Sequence, residues 1–389
     1  MRRLDPTIGF LNLGHVLVHL FMLIFPTAVL ALEQDWNRPY GELLGLSLGG
    51  LIAYGGGSLP AGWLGDRWSR RGMMAVFFFG TGIAAVATGF AQGPAGIFAG
   101  LTAIGLFGAI YHPVGIAMLV RGQARLGRTL GVNGVFGNLG IASAALVTGL
   151  VCDAVGWRAA FILPGTTAII AGFFFLLTVP PAPRATATET QASGRLPQGL
   201  LIRVALVLFL AIICDSVIFN ATTIAMPKVF AERLAAITSS TMGIGALLSV
   251  VYVVAAMAQL LVGQLIDKRG VGRLFLPVAA LQVPLLLLAS FSPGIGILPI
   301  AVALMFSVFG LIPILDAIVA VIVDERWRAR VYAMSYVLSF GASPLAVPLI
   351  AHTHDEAGGF SVLFLALAAI GTGTVLSAFF LPQRALVRA

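Results

Sequence analysis

Twelve stretches of this chain are each long and apolar enough to cross a lipid bilayer, a constraint that removes nearly every water-soluble fold from consideration. About 20 apolar residues in a helix span the hydrocarbon. Runs of that kind cover residues 8–31, 41–63, 73–91, 95–120, 129–151, 158–179, 200–226, 239–265, 273–291, 295–323, 331–351 and 359–381. Runs of that length and hydropathy read as helices that cross the bilayer, and the chain as an all-α membrane protein. Hydrophobic residues make up 59% of the sequence and charged residues 10%, too little charge to clothe a surface that faces water. The first run lacks a small-residue cleavage site and is expected to remain as a helix.

Twelve crossings leave both termini on one side of the membrane. Lys and Arg are retained in short cytoplasmic loops, and with the N-terminus inside, 19 of the 23 basic residues fall in inner segments. Arg38, Arg158, Lys228 and Arg233 are the outer ones. The net charge of +8 therefore reads as inner-membrane topology and attraction to anionic lipid, with no nucleic-acid partner expected. Cys152 and Cys214 form neither a CxxC pair nor a disulfide framework and read as packing residues.

The chain is also duplicated. Gly62-Trp63-Leu64-Gly65-Asp66-Arg67-Trp68-Ser69-Arg70-Arg71 closes the second run, and Gly263-Gln264-Leu265-Ile266-Asp267-Lys268-Arg269-Gly270 closes the eighth, 201 residues later. In the fourth and tenth runs, Phe107-Gly108-Ala109-Ile110-Tyr111-His112-Pro113 lines up with Phe309-Gly310-Leu311-Ile312-Pro313. Residues 180–199 are polar and rich in Pro and small residues, which marks a cytoplasmic linker between a bundle at 1–179 and a second at 200–389.

The pattern Gly-x-Leu-x-Asp-Arg/Lys-x-Gly/Ser-Arg resembles the loop between helices 2 and 3 of the major facilitator superfamily, and its weaker echo resembles the loop between helices 8 and 9. The resemblance implies two pseudo-symmetric six-helix bundles that rock around a site at the midplane. Gly62, Asp66, Arg67, Arg70, Arg71, Gly263, Asp267 and Lys268 then form the gating motif. Asp66 is expected to pair with Arg70 or a neighbouring Arg and to meet the N-terminus of a helix from the other half. Arg121, Arg125 and Arg128, with Asp324, Glu325, Arg326, Arg328 and Arg330, are expected to join the same cytoplasmic ion-pair network.

Ionisable groups in hydrocarbon are costly, so each one is a functional candidate. Asp215 and Asp316 are the acidic residues well inside the spans, and His15, His19 and His112 are the histidines; His352 and His354 are assigned to the outer loop before helix 12. Asn12, His15 and His19 stand at i, i+3 and i+7 on one face of helix 1, with His19 about 16 Å into the span, near the midplane. An ordinary pKa near 6.5 lets His take and release protons at physiological pH. Pro113, directly after His112, removes a backbone hydrogen bond and bends helix 4. A shift of 201 sets position 216 opposite His15 and Asn220 opposite His19, so the pair Asp215 and Asn220 sits where the histidine pair sits in the first half, and symmetry directs both clusters to one cavity. Asp215 is the preferred proton carrier, His19 the alternative, and Asp316 a secondary candidate. Each of these residues also has a bland reading as a structural hydrogen-bonded group.

His15 and His19 at i, i+4 could hold one edge of a metal site. No Cys or Glu accompanies them in their helix and the methionines do not recur at ligand spacing, so neither metal nor cofactor is expected.

Tyr111-His112-Pro113-Val114-Gly115, Gly134, Gly137-Asn138-x-Gly140 and Asp153-x-x-Gly156-Trp157-Arg158-x-x-Phe161, with Gly14-His15, look like the fosmidomycin-resistance branch of the superfamily. That resemblance implies a proton-driven exporter of small drugs. Helix 4 lacks the intramembrane Arg, and helix 5 the Gly-Pro, of many drug/proton antiporters. The leading expectation is a monomeric secondary transporter that exports a small organic solute in exchange for protons. Import of an organic anion or metal ion, or a non-transporting receptor or assembly factor, are the alternatives. No nucleophile–base arrangement suggests an enzyme.

Overall fold

The computed structural model describes residues 6–121, 126–181, 198–323 and 325–381, with all their side chains except those of 126–128, 198–204, 322, 325–330, 332 and 333. The central part of the linker, 182–197, lies outside the described residues, as do Arg125 and Asp324 and the side chains of Arg128, Glu325, Arg326, Arg328 and Arg330.

All regular structure among the described residues is helical. Among the described residues, twelve helices are long and apolar enough to cross a membrane: α1 Pro6–Trp36, α2 Tyr40–Arg67, α3 Arg70–Gly89, α4 Pro94–Leu119, α5 Thr129–Val155, α6 Trp157–Thr178, α7 Ala205–Arg233, α8 Thr241–Arg269, α9 Gly272–Phe291, α10 Gly294–Val321, α11 Met334–Asp355 and α12 Phe360–Phe380. The chain is thus a multi-pass membrane protein. His352 and His354 belong to the last turn of α11 rather than to a loop, because the helix runs on to Asp355.

Local chemistry sets the helix ends. Ser69 N-caps α3 by accepting from the Gly72 amide at 3.0 Å. Gly270, at φ +78°, follows the end of α8, where its N–H donates to Ile266 C=O at 2.9 Å, a left-handed stop that costs glycine nothing.

The described residues divide into two compact units, Met1–Arg184 with Thr223–Val250, and Ala185–Thr222 with Val251–Ala389. The division departs from a split at the linker because the far end of α7 and the first turns of α8 pack with the first unit. Gly149 and Gly245 explain part of that attachment: a Cβ on either would come within 2.3 Å of a carbonyl oxygen across the α5–α8 contact. In the first unit α1 packs along α5, α2 along α4, and α3 along both α4 and α6. In the second unit α9 packs along α10 and α12, around buried Leu208, Ile212, Phe275, Leu311, Ile314 and Ile318. Large apolar side chains such as Ile83, Phe173, Leu177, Phe291 and Phe379 are left exposed, a surface suited to lipid tails and unsuited to water.

Candidate functional site

The histidines of α1 and α4 meet in the first unit. On α1, His15 and His19 are one turn apart, with their Nε2 atoms 3.2 Å from each other. On α4 the regular helix stops at Gly108 and a wide π-helical turn spans Tyr111–Gly115, around Pro113, before the helix resumes at Ile116. Wide turns of this kind re-aim side chains within a helix. His112 lies in that turn and stands edge-on to His15 and His19, with ring centroids at 5.4 and 5.6 Å. One nitrogen from each of the three rings falls within 4.8 Å of the others. His15 is buried, and His19 and His112 are half-buried.

Behind the histidines lies a hydrogen-bonded frame. His15 Nδ1 is 2.7 Å from the backbone C=O of Asn133 on α5. A carbonyl only accepts, so Nδ1 carries the proton and Nε2 presents its lone pair toward His19. Asn133 Nδ2 donates to Asn12 Oδ1 at 2.9 Å and to the Tyr111 hydroxyl at 3.0 Å. The Tyr111 hydroxyl donates in turn to Leu11 C=O at 2.8 Å, and its ring stacks on His15 at 5.0 Å. Asn12 and His15 are thus anchored by one residue of α5. Gly137, one turn further along α5, leaves room for the His15 ring: a Cβ there would lie 2.7 Å from its Cε1 and Nε2.

A second polar cluster occupies the second unit. Asp215 is buried in α7 and accepts from Gln282 Nε2 of α9 at 3.3 Å. The neighbouring Ser216 donates to Ser339 of α11 at 2.7 Å, and half-buried Asn220 donates to Ser216 C=O at 2.8 Å. Asp316, on α10, is exposed and takes no part in these hydrogen bonds.

At the end of α2, Arg70 Nη2 pairs with Asp66 Oδ1 at 2.8 Å and its Nη1 donates to Ala117 C=O of α4 at 3.4 Å. Arg71 donates to Val179 and Leu176 carbonyls, closing the exposed C-terminus of α6, and the Arg67 guanidinium lies 4.7 Å over the Trp63 ring. In the second copy, Gly263, Asp267 and Lys268 fall in the last turns of α8, and among the described residues Asp267 has no ion-pair partner.

At the opposite end of α2, Lys228 of α7 bonds both carboxylate oxygens of Glu33 of α1 at 2.8 Å. Asp153, at the end of α5, accepts from the amides of Thr241 and Met242 at 3.2 and 2.8 Å, a negative charge on the N-terminus of α8. A cleft of about 250 Å³ lies beside these contacts, lined by Glu33, Lys228, Ser239 and Thr241.

Sequence reading missed Asn133, Gln282 and the Glu33–Lys228 pair. Asn133 begins the i, i+4, i+7 stripe Asn133, Gly137, Gly140, and Gln282 is the sole polar residue between Arg273 and Ser290; both signals were present. No local spacing relates Glu33 to Lys228.

The Major Facilitator Superfamily matches residues 11–249, more than half of the chain. Over 177 residues the chain is 30% identical to the tetracenomycin C resistance and export protein of Streptomyces glaucescens, covering 44% of this chain and 33% of that protein. Over 123 residues it is 29% identical to the puromycin resistance protein pur8 of Streptomyces alboniger, covering 31% of this chain and 24% of that protein. The matched segments thus span a third or less of these relatives. Among solved structures, a bacterial homologue of the human lysosomal transporter Spinster, inward-facing and unoccupied, superposes with a TM-score of 0.69 at 15% identity, covering 99% and 96% of the two chains. A POT family transporter in complex with 5-aminolevulinic acid superposes with a TM-score of 0.79 at 12% identity, covering 97% and 96%. At such identities the likeness is one of fold; the family match over residues 11–249 shows that the chain belongs to the Major Facilitator Superfamily.

Proposed function

We propose that the chain is a secondary active transporter of the inner membrane that exports a small organic solute in exchange for protons. In this reading residues 1–179 and 200–389 are two six-helix bundles that work by alternating access, within one monomer and with both termini cytoplasmic. The observation that carries it is Asp215, a carboxyl buried in an apolar helix and held by Gln282. A group of that kind is retained in a membrane helix at considerable cost, and a proton path accounts for it. Asn12, His15, His19 and His112 offer donors and acceptors to a solute, Asn220 and Asp316 add polar lining in the second half, and the Asp66–Arg70 pair belongs to the inner gate. Export is favoured over import by the two Streptomyces relatives, which are named for resistance and, in one case, export.

Everted membrane vesicles holding a pH gradient, reported by a quenched dye, test this with a panel of compounds that includes puromycin and tetracenomycin C. At least one compound is expected to dissipate the gradient in vesicles carrying the wild-type chain and not in those carrying Asp215→Asn. A compound that is transported equally with and without the gradient contradicts proton coupling.

A further inference from the structure

We propose that His15, His19 and His112 form a binding site for a divalent transition-metal ion of the zinc, cobalt or nickel class. The site stands on geometry alone and does not depend on the transport reading above. Two imidazole nitrogens that share a tetrahedral ion at 2.0–2.1 Å lie about 3.3 Å apart. His15 Nε2 and His19 Nε2 already lie 3.2 Å apart. The three ligand nitrogens lie within 4.8 Å of one another, so bringing in His112 requires a contraction of no more than about 1.5 Å. That is within reach of a ring rotation on a wide turn.

The tautomer also fits. The Asn133 carbonyl holds the proton on His15 Nδ1 and leaves Nε2 as a lone-pair donor, the arrangement in which an outer backbone carbonyl orients a metal-ligating imidazole. In the metal-free protein the His15 Nε2 lone pair accepts a hydrogen bond from His19. An ion replaces that shared proton, and His19 then carries its own proton on Nδ1. Gly137 keeps the metal-facing edge of His15 clear of side-chain atoms.

The donor set selects the class of ion. The three-residue group consists of imidazoles with no carboxylate among them, which suits borderline ions of the first transition row and does not suit Mg²⁺ or Ca²⁺. Three protein ligands leave a fourth position for water or for a donor atom of a bound solute.

The test is a Co²⁺ titration of the full-length, tag-free protein in detergent after treatment with a chelator, following the visible absorption of four-coordinate Co²⁺. His352 and His354 sit with Glu356 and Asp355 at the exposed end of α11 and could bind ions themselves, so the titration is repeated in His352→Gln/His354→Gln. The proposal expects one saturable equivalent in the wild type and in that double variant, displaced by Zn²⁺, with affinity at least tenfold weaker in His19→Gln and in His112→Gln. Zn²⁺ should raise the thermal midpoint of the wild type and leave that of folded His19→Gln unmoved. Absence of a saturable band in the wild type overturns the proposal. So does a band that survives in His19→Gln/His112→Gln or disappears in His352→Gln/His354→Gln. Since these readouts are of binding, a negative result leaves the transport assignment untouched, and a failure of transport leaves the metal site standing.

Discussion

Asp66 and Arg70 are an exposed ion pair across the turn between α2 and α3, and pairs of that kind contribute about 0–1 kcal/mol to stability. Their presence at the end of α2 is therefore better explained by a conformational role than by folding. Asp66→Ala is expected to leave the thermal midpoint of the purified protein nearly unchanged while transport falls. A normal rate in Asp66→Ala would remove the motif from the gate. The Gln282–Asp215 contact is of the other kind, since both groups are buried and a polar group stripped of its partner there costs about 1–3 kcal/mol. Gln282→Leu should lower the thermal midpoint by a corresponding amount, and an unshifted midpoint would show that Asp215 does not depend on that bond. Asp215→Asn preserves shape and hydrogen bonding, so it should cost little stability while removing the charge.

At the scale of helices, close packing depends on residues without side chains. A Cβ on Gly105 of α4 would lie 2.0 Å from the Gly50 carbonyl oxygen of α2, so the two backbones touch there. Gly105→Val forces them apart and should destabilise by about 1–3 kcal/mol or more, read as reduced thermal stability and yield. Existence and order of the helices were legible because a run of apolar residues leaves the backbone few alternatives in lipid. The face shared by Asn12, His15 and His19 was legible from helical spacing. The meeting of that face with His112 was not, because it depends on how α4 turns at Tyr111–Gly115 and on the depth at which α5 crosses α1. Hydropathy reports neither quantity. Asn133 escaped attention for the same reason: one amide in a glycine-rich helix acquires its role only when Tyr111 and Asn12 are brought to it. The sequence places His352 and His354 in a loop because, with Asp355 and Glu356, they form a polar run at a helix end that looks like one.

For the molecule as a whole, transport by alternating access requires contacts that form and break. Lys228 on Glu33, and Asp153 on the first amides of α8, tie helices together at the end of the first unit that lies away from Asp66. Asp153→Ala combined with Lys228→Ala removes both. It should raise the reactivity of a cysteine placed at Gln34, which lines the adjoining cleft, toward a hydrophilic thiol reagent. Unchanged reactivity would mean that these pairs are fastenings with no part in opening. The central claim, solute export driven by protons carried on Asp215, is tested most directly by solute-evoked proton flux in proteoliposomes that contain a pH-sensitive dye. The wild type should move protons against the solute and stop when the solute is withheld, and Asp215→Asn should bind the solute with similar affinity but move no protons. Proton flux undiminished in a folded Asp215→Asn protein would contradict the account.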